Sequence, residues 1–227
     1  MNAKICVSLF ARDILEVLSL IEKTEKLKTD LIEIRLDELE EIDRLSDIVN
    51  WTKTPLIATV RASKEGGKFK GTEEKRKEIL LNAARAGFEY IDIELSMPSL
   101  QGMINELKKY NTKIIISFHD FEKTPGIKEL KNVLKQEIDN GADVCKIITM
   151  AKKLEDNLTV LNFLNEESKR VKLVSFAMGE YGKISRVLSP FFGSYFTFVS
   201  LEKGKETALG QLSVYELKSL YEILGLS

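Results

Sequence analysis

One lysine in this chain stands where a lysine is costly to keep. Lys146 lies inside Val144-Cys145-Lys146-Ile147-Ile148, apolar on both sides. Such a run reads as a strand buried on both faces, where an ammonium loses its hydration. Desolvation favours the neutral amine, the form that attacks a carbonyl carbon, so residue type and place together suggest Schiff-base chemistry. His119 is the chain's only histidine and ends another apolar run, Lys113 to His119. Imidazole titrates near neutrality and can take a proton and return it. Each residue also has a plainer explanation: a lysine that protects a sheet edge from pairing, or a histidine that makes one structural hydrogen bond. Their places on consecutive strand-like runs favour a nucleophile and an acid/base acting together.

Other apolar runs are interrupted in the same way. Ser8 stands near the end of the first run, and Glu33, Arg35 and Asp37 share one alternating face of the second. Arg61 closes the third, Asp92 and Glu94 alternate with Ile91, Ile93 and Leu95 in the fourth, and Ser117 shares the face of His119. If helices cover the outer face of each strand, that face must be apolar, so the polar stripe has to point inward. The plainer reading of Glu33, Arg35, Asp92 and Glu94 is a buried ion network that only fills space.

The elements that must position these groups follow from period. Strand-like runs span Lys4–Leu9, Leu31–Leu36, Leu56–Arg61, Tyr90–Leu95, Lys113–His119, Val144–Thr149, Lys172–Met178 and Tyr195–Ser200. Between them lie amphipathic stretches, among them Thr72–Ala86, Gly126–Asp139 and Ser213–Ile223, the last opened by the capping-box pattern Ser213-Val-Tyr-Glu216. Eight such units, each of the length of one strand and one helix, predict an α/β fold: a closed (β/α)8 TIM barrel over residues 1–227 as a single domain. An open doubly wound sheet is the alternative, but it usually carries a glycine-rich turn after its first strand, and Phe10-Ala11-Arg12-Asp13 has no glycine. In a barrel the reactive groups sit at the C-terminal strand ends and the loops beyond, which is where the polar residues fall.

Composition narrows the function. Lys+Arg 34 against Asp+Glu 35 leaves a formal net charge of -1, so no positive field draws the chain to nucleic acid or to an anionic membrane surface. No apolar run is long enough to span a bilayer, and the apolar start is too short for a secretory signal, so the expected setting is cytoplasmic. Cys6 and Cys145 lie far apart in separate apolar runs, which predicts reduced, buried thiols. With a single histidine, a His-rich zinc site is excluded and a carboxylate-bound magnesium is disfavoured; no metal or organic cofactor is expected.

Several motifs, in order and each at a strand end, resemble the type I 3-dehydroquinate dehydratases of the shikimate pathway. They are Glu33-Ile-Arg35-Leu-Asp37, Arg61-Ala-Ser-Lys-Glu65-Gly-Gly67, Ser117-Phe-His119-Asp120-Phe, Val144-Cys-Lys146-Ile, Met178-Gly-Glu-Tyr-Gly-Lys-Ile-Ser-Arg186 and Gly210-Gln211. The resemblance covers nearly the whole chain. It implies a cofactor-free hydro-lyase acting on 3-dehydroquinate, with Lys146 as the Schiff-base residue, His119 as the acid/base and Glu65 orienting or tuning the histidine. It further implies that Arg186 and Gln211 hold the substrate carboxylate, that Glu33, Arg35 and Arg61 surround its hydroxyls, and that Ser8, Met178 and Phe198 line the pocket. Thr207 stands on the closing loop where the family often has serine, and Phe176 where it often has methionine. The residues alone would leave Glu65 a solvated loop charge and Arg186 a surface charge. Relatives are commonly homodimers. Two rival readings are a Schiff-base class I aldolase on the same barrel and a non-catalytic metabolite-binding barrel. The first lacks a convincing phosphate nest after the last two strands, and the second has no need of a desolvated amine.

Overall fold

The computed structural model describes residues 3–226. Strand and helix alternate throughout: β1 (Ile5–Phe10), α1 (Ile14–Glu25), β2 (Leu31–Arg35), α2 (Leu45–Trp51), β3 (Leu56–Thr59), α3 (Glu73–Ala86), β4 (Tyr90–Glu94) and α4 (Leu100–Leu107). Then come β5 (Lys113–His119), α5 (Ile127–Asp139), β6 (Val144–Met150), α6 (Asp156–Glu167), β7 (Leu173–Met178), α7 (Lys183–Leu188), β8 (Thr197–Ser200) and α8 (Val214–Ile223). All strand pairs are parallel, and the order β7-β6-β5-β4-β3-β2-β1-β8 sets the last strand beside the first. At the remaining seam, between β7 and β8, Tyr195 N donates to Leu173 O at 2.8 Å, one residue pair below the start of β8. The result is the (β/α)8 barrel that the sequence predicts.

Helix starts are set where the sequence places its caps. Ser213 Oγ accepts from Glu216 N at 3.3 Å and Glu216 Oε2 accepts from Ser213 N at 2.8 Å, so the capping box of α8 is formed. Thr72 Oγ1 and Asp13 Oδ1 cap α3 and α1 in the same manner. The third strand stops two residues before the Arg61 expected from alternation. Asp37 is responsible: its Oδ1 takes the Arg61 amide at 2.9 Å and its Oδ2 takes the Lys68 amide at 3.0 Å, which draws the chain off the ladder. Asp37 therefore pins a turn rather than lining the barrel interior as the alternation suggested. That turn is tight enough that a Cβ on Gly67 would come within 2.0 Å of Arg61 O.

Alternation divides the barrel interior into layers. The lower layer is apolar, built from Cys6, Leu31, Ile57, Tyr90, Ile115, Val144, Val174 and Phe196. One step up each strand, the register aligns Ser8 with Glu33, Thr59 with Asp92 and Ser117 with Lys146. The floor is closed by aromatic rings: Tyr90 and Tyr195 touch through their hydroxyls at 3.3 Å. Lys4 and Lys172 lie over Tyr195, and Lys113 over Tyr90. Both cysteines are buried free thiols, Cys6 inside the barrel and Cys145 outside it against the helices.

Candidate active site

The polar layer opens upward into a cavity of about 480 Å³ at the C-terminal ends of the strands. It brings together Glu33, Arg35, Arg61, Glu65, His119, Lys146, Met178, Arg186, Phe198, Thr207 and Gln211, residues from eight separate segments of the chain. Ser8 is the exception among the expected lining residues. It is buried, donates to Glu33 Oε2, and faces an adjoining cavity between β1, α1 and the loop after β8.

Lys146 is 5% exposed and does not stand alone as a desolvated amine. Its Nζ donates to Asp92 Oδ2 at 2.8 Å, lies 4.0 Å from Glu33 Oε1, and sits 4.4 Å from the centre of the Phe198 ring. Asp92 in turn takes Arg61 Nη2 at 2.7 Å and Ser117 Oγ at 2.7 Å. Burial acts to raise the Asp92 carboxyl, but Arg61 and Lys146 outweigh it and hold the group well below the usual carboxylate range. Asp92 is thus an anion in the free enzyme. Sequence alternation placed it in the polar stripe and gave it no role; nothing in Tyr90-Ile-Asp92-Ile-Glu94 says that its carboxylate meets Lys146 across a neighbouring strand.

His119 ends β5, with its ring stacked 5.8 Å from that of Phe121. Its Nδ1 is sealed from solvent and has no hydrogen-bond partner among the described residues. Burial, then the positive charges of Arg61 and Lys146, push its pKa well below the ordinary imidazole value. The sequence predicts titration near neutrality; burial and the two neighbouring cations make it instead a neutral base at pH 7. Glu65, on a short 3-10 turn after β3, does reach the cavity wall, but its carboxylate accepts from Ser96 Oγ at 2.6 Å.

Arg186 has no counter-ion among the described residues. It is 1% exposed, its Nη1 and Nη2 make only long contacts of 3.4 Å to Phe198 O and Leu209 O, and its Nε is buried without a partner. The guanidinium lies 4.2 Å over the Phe176 ring, the position the sequence marked as a departure from the family. Burial pushes its pKa down to about 9, which still leaves it cationic at neutral pH. A buried fork of donors that faces the cavity and has no carboxylate within salt-bridge reach among the described residues suits an anionic group of a bound molecule.

The loop 201–212 forms one wall through Glu206, Thr207, Ala208, Leu209 and Gln211, with Gln211 Oε1 accepting from Thr207 N at 2.7 Å. Gly210 has φ +72°, and a Cβ there would meet Gly179 O at 2.4 Å, so this end of the loop is locked against the turn after β7. Among the described residues no group of three or more His, Cys, Asp or Glu is placed to hold a metal ion. No helix among them is long and apolar enough to cross a membrane.

Residues 5–227 match the family model for type I 3-dehydroquinase. The 3-dehydroquinate dehydratase of Methanococcus maripaludis strain C5 is 38% identical over 223 residues, covering 97% of this chain and 99% of the relative. Among solved structures, the 3-dehydroquinate dehydratase of Geobacillus kaustophilus superposes with a TM-score of 0.90 at 26% identity, covering 99% of this chain and 92% of that one. The type I enzyme of Clostridium difficile, solved with covalently modified comenic acid, gives 0.89 at 29% identity, with 98% and 92% covered.

Proposed function

The chain belongs to the type I 3-dehydroquinase family, and we propose that it dehydrates 3-dehydroquinate to 3-dehydroshikimate and water through an iminium on Lys146, with His119 as acid and base. The observation that carries this reading is a single cavity lined by a lysine amine, a neutral imidazole and a buried guanidinium without a counter-ion.

The substrate carboxylate pairs with Arg186 and is hydrogen-bonded by Gln211, which supplies the anion that the guanidinium lacks. Glu33, Arg35 and Arg61 surround the hydroxyls, Met178, Phe176 and Phe198 supply the apolar wall, and Thr207 closes over the ring. With the substrate so held, the Lys146 amine adds to the ring ketone; the adduct's hydroxyl takes a proton from solvent and leaves as water, giving an iminium, a stronger electron sink than the ketone. His119 takes a proton from the adjacent carbon, and the electron pair moves into the enamine. The enamine then expels the hydroxyl at the next ring position, which leaves as water with the proton that His119 returns. Water hydrolyses the remaining iminium, freeing product and Lys146. Asp92 partners the amine whenever it is charged, and Glu65 acts on His119 from the cavity rim once its hydroxyl partner is displaced.

Borohydride reduction in the presence of 3-dehydroquinate, followed by peptide mass mapping, tests the covalent step. The expected outcome is a ligand-derived mass on the peptide containing Lys146, retained in His119→Ala although turnover there falls by orders of magnitude. An adduct on any other lysine overturns the assignment, and near-normal turnover in His119→Ala removes the histidine from the chemistry.

A further inference from the structure

From Lys146 a file of side chains of alternating charge runs out through the barrel wall to a helix. Asp92 lies 2.8 Å from Lys146, Arg61 lies 2.7 Å from Asp92, and Glu94 Oε1 lies 3.1 Å from Arg61 Nη1. The other oxygen of Glu94 accepts from Arg76 Nη1. Arg76 belongs to α3, touches no part of the cavity, and is nonetheless 1% exposed. Its remaining partners are Glu73, at 2.6 Å one turn earlier on the helix, and Val60 O at 3.3 Å.

We propose that Arg76 is a positioning residue for the dehydration: acting through Glu94 and Arg61, it sets how tightly Asp92 holds Lys146, and so how readily the amine is freed to attack. The inference rests on the Schiff-base reading given above.

Two features of the geometry carry it. Every carboxylate in the file is shared, with Glu94 divided between Arg76 and Arg61 and Asp92 between Arg61 and Lys146. Without Arg76, Glu94 has only Arg61 to pair with and draws its guanidinium away from Asp92, leaving Asp92 to Lys146. The second feature is charge balance. The buried members of the connected set are Arg35, Arg61, Arg76 and Lys146 against Glu33, Asp37, Asp92 and Glu94, four against four, with the partly exposed Glu73 at the outer end of the file. Removing Arg76 leaves the set at minus one, and a buried negative balance favours ammonium over amine.

The other groups facing Lys146 are fixed in this comparison. Glu33 approaches from β2, His119 from β5 and the Phe198 ring from β8. Cys6 lies below on β1, and Glu137 of α5 lies behind β6; burial holds both of these neutral at pH 7. None of them contacts Arg76. A merely structural arginine would lower stability and leave the pH dependence of the amine where it was.

The experiment measures the initial rate of borohydride trapping with 3-dehydroquinate against pH, together with kcat and KM, in the parent enzyme, Arg76→Gln, Arg76→Lys and the double variant Arg76→Gln/Glu94→Gln. In Arg76→Gln the acidic limb of trapping should move to higher pH by about one unit, with KM within about twofold of the parent because Arg186 is untouched. Arg76→Lys keeps the charge and should restore most of the shift. The double variant removes a cation and an anion together and should return the limb towards the parent position; if Arg76→Gln does not fold, Glu94→Gln alone, which removes the anion and leaves Arg61 to Asp92, should move the limb to lower pH, and an unmoved limb there overturns the proposal. Superposable trapping profiles for parent and Arg76→Gln, or a shift that persists in the double variant, overturn the proposal. If the parent itself gives no adduct at Lys146, the Schiff-base reading fails, and this inference falls with it; an adduct at Lys146 with no shift in the variants defeats the Arg76 role alone.

Discussion

Lys146 and Arg186 are buried and His119 is half-buried with its Nδ1 sealed; all three can carry a positive charge, yet the protein treats each differently. Lys146 is paired with a carboxylate, His119 is kept neutral by burial and by its positive neighbours, and Arg186 is left charged and unpaired. The last arrangement costs stability in the free enzyme, because a guanidinium that is 1% exposed meets no carboxylate among the described residues. Arg186→Met should therefore do two opposite things. It should raise the melting temperature of the free enzyme, since a similar volume is kept while the buried charge is lost, and it should raise KM at least tenfold, since charge-assisted hydrogen bonds to a carboxylate are worth roughly 1.5–3 kcal/mol. Thermal unfolding and steady-state kinetics on the same preparation check both. A fall in stability with unchanged KM would mean that the guanidinium is there to bridge β7 and β8 and binds no substrate.

At the scale of elements, helices do more than cover strands. On α5, Glu137 is fully buried against Cys145 on β6, and among the described residues neither carboxylate oxygen has a well-aligned hydrogen-bond partner, the Cys145 thiol and the Lys146 amide being its nearest polar neighbours. Burial raises its pKa well above the ordinary carboxylate value, so the folded protein holds it protonated at pH 7 while the unfolded chain releases the proton. The penalty is absent below the unfolded pKa and grows as pH rises towards the folded one. Glu137→Gln should thus leave the melting temperature near the parent's at pH 4 and raise it by a growing margin from pH 5 to pH 8; a margin that does not change with pH would show that the carboxyl is not buried protonated. The loop after β8 is an element of the opposite kind. Its Gly210 end is locked to Gly179, while a Cβ on Gly204 would meet nothing, and Lys203 and Lys205 are exposed. Trypsin should cut after those lysines more slowly in the borohydride-trapped complex than in the free enzyme if Thr207 and Gln211 close on substrate; equal rates of cleavage would show no closure. Elements of these lengths were legible because period alone finds them, and β5 was delimited to the residue. What period could not show was contact across strands. The end of β3 depends on Asp37 capturing an amide 24 residues away, and Arg76 is one charge within Glu-Glu-Lys-Arg-Lys-Glu, indistinguishable in sequence from its solvated neighbours. Lys146 stood out for the converse reason, since the residues beside it in its run are apolar, and His119 because it is the chain's only histidine and ends such a run.

For the whole molecule, the barrel separates what holds it together from what it does. The proposed chemistry falls in the upper layer and the loops above, whereas the lower layer and the Tyr90–Tyr195 floor carry apolar packing and no group that the proposed mechanism uses. Closure also ties the ends of the chain to each other: β1 pairs with β8 over Ile5↔Thr197 to Ser8↔Ser200, and Lys218 of α8 donates to Leu27 O at the end of α1. No run of consecutive units can bury its inner face until the first and last strands meet, because each layer draws side chains from strands all around the ring. We therefore expect residues 1–227 to unfold as one cooperative domain. Calorimetry should give a single transition whose calorimetric and van't Hoff enthalpies agree, coincident with the loss of far-ultraviolet circular dichroism. Tyr90→Ala, which empties a floor position that is 3% exposed, should lower that one transition by about 3–5 kcal/mol while leaving kcat/KM within about twofold of the parent. Two resolved transitions would divide the chain into separately folding parts, and a loss of activity in Tyr90→Ala larger than its loss of folded protein would show that the floor reaches the site above it.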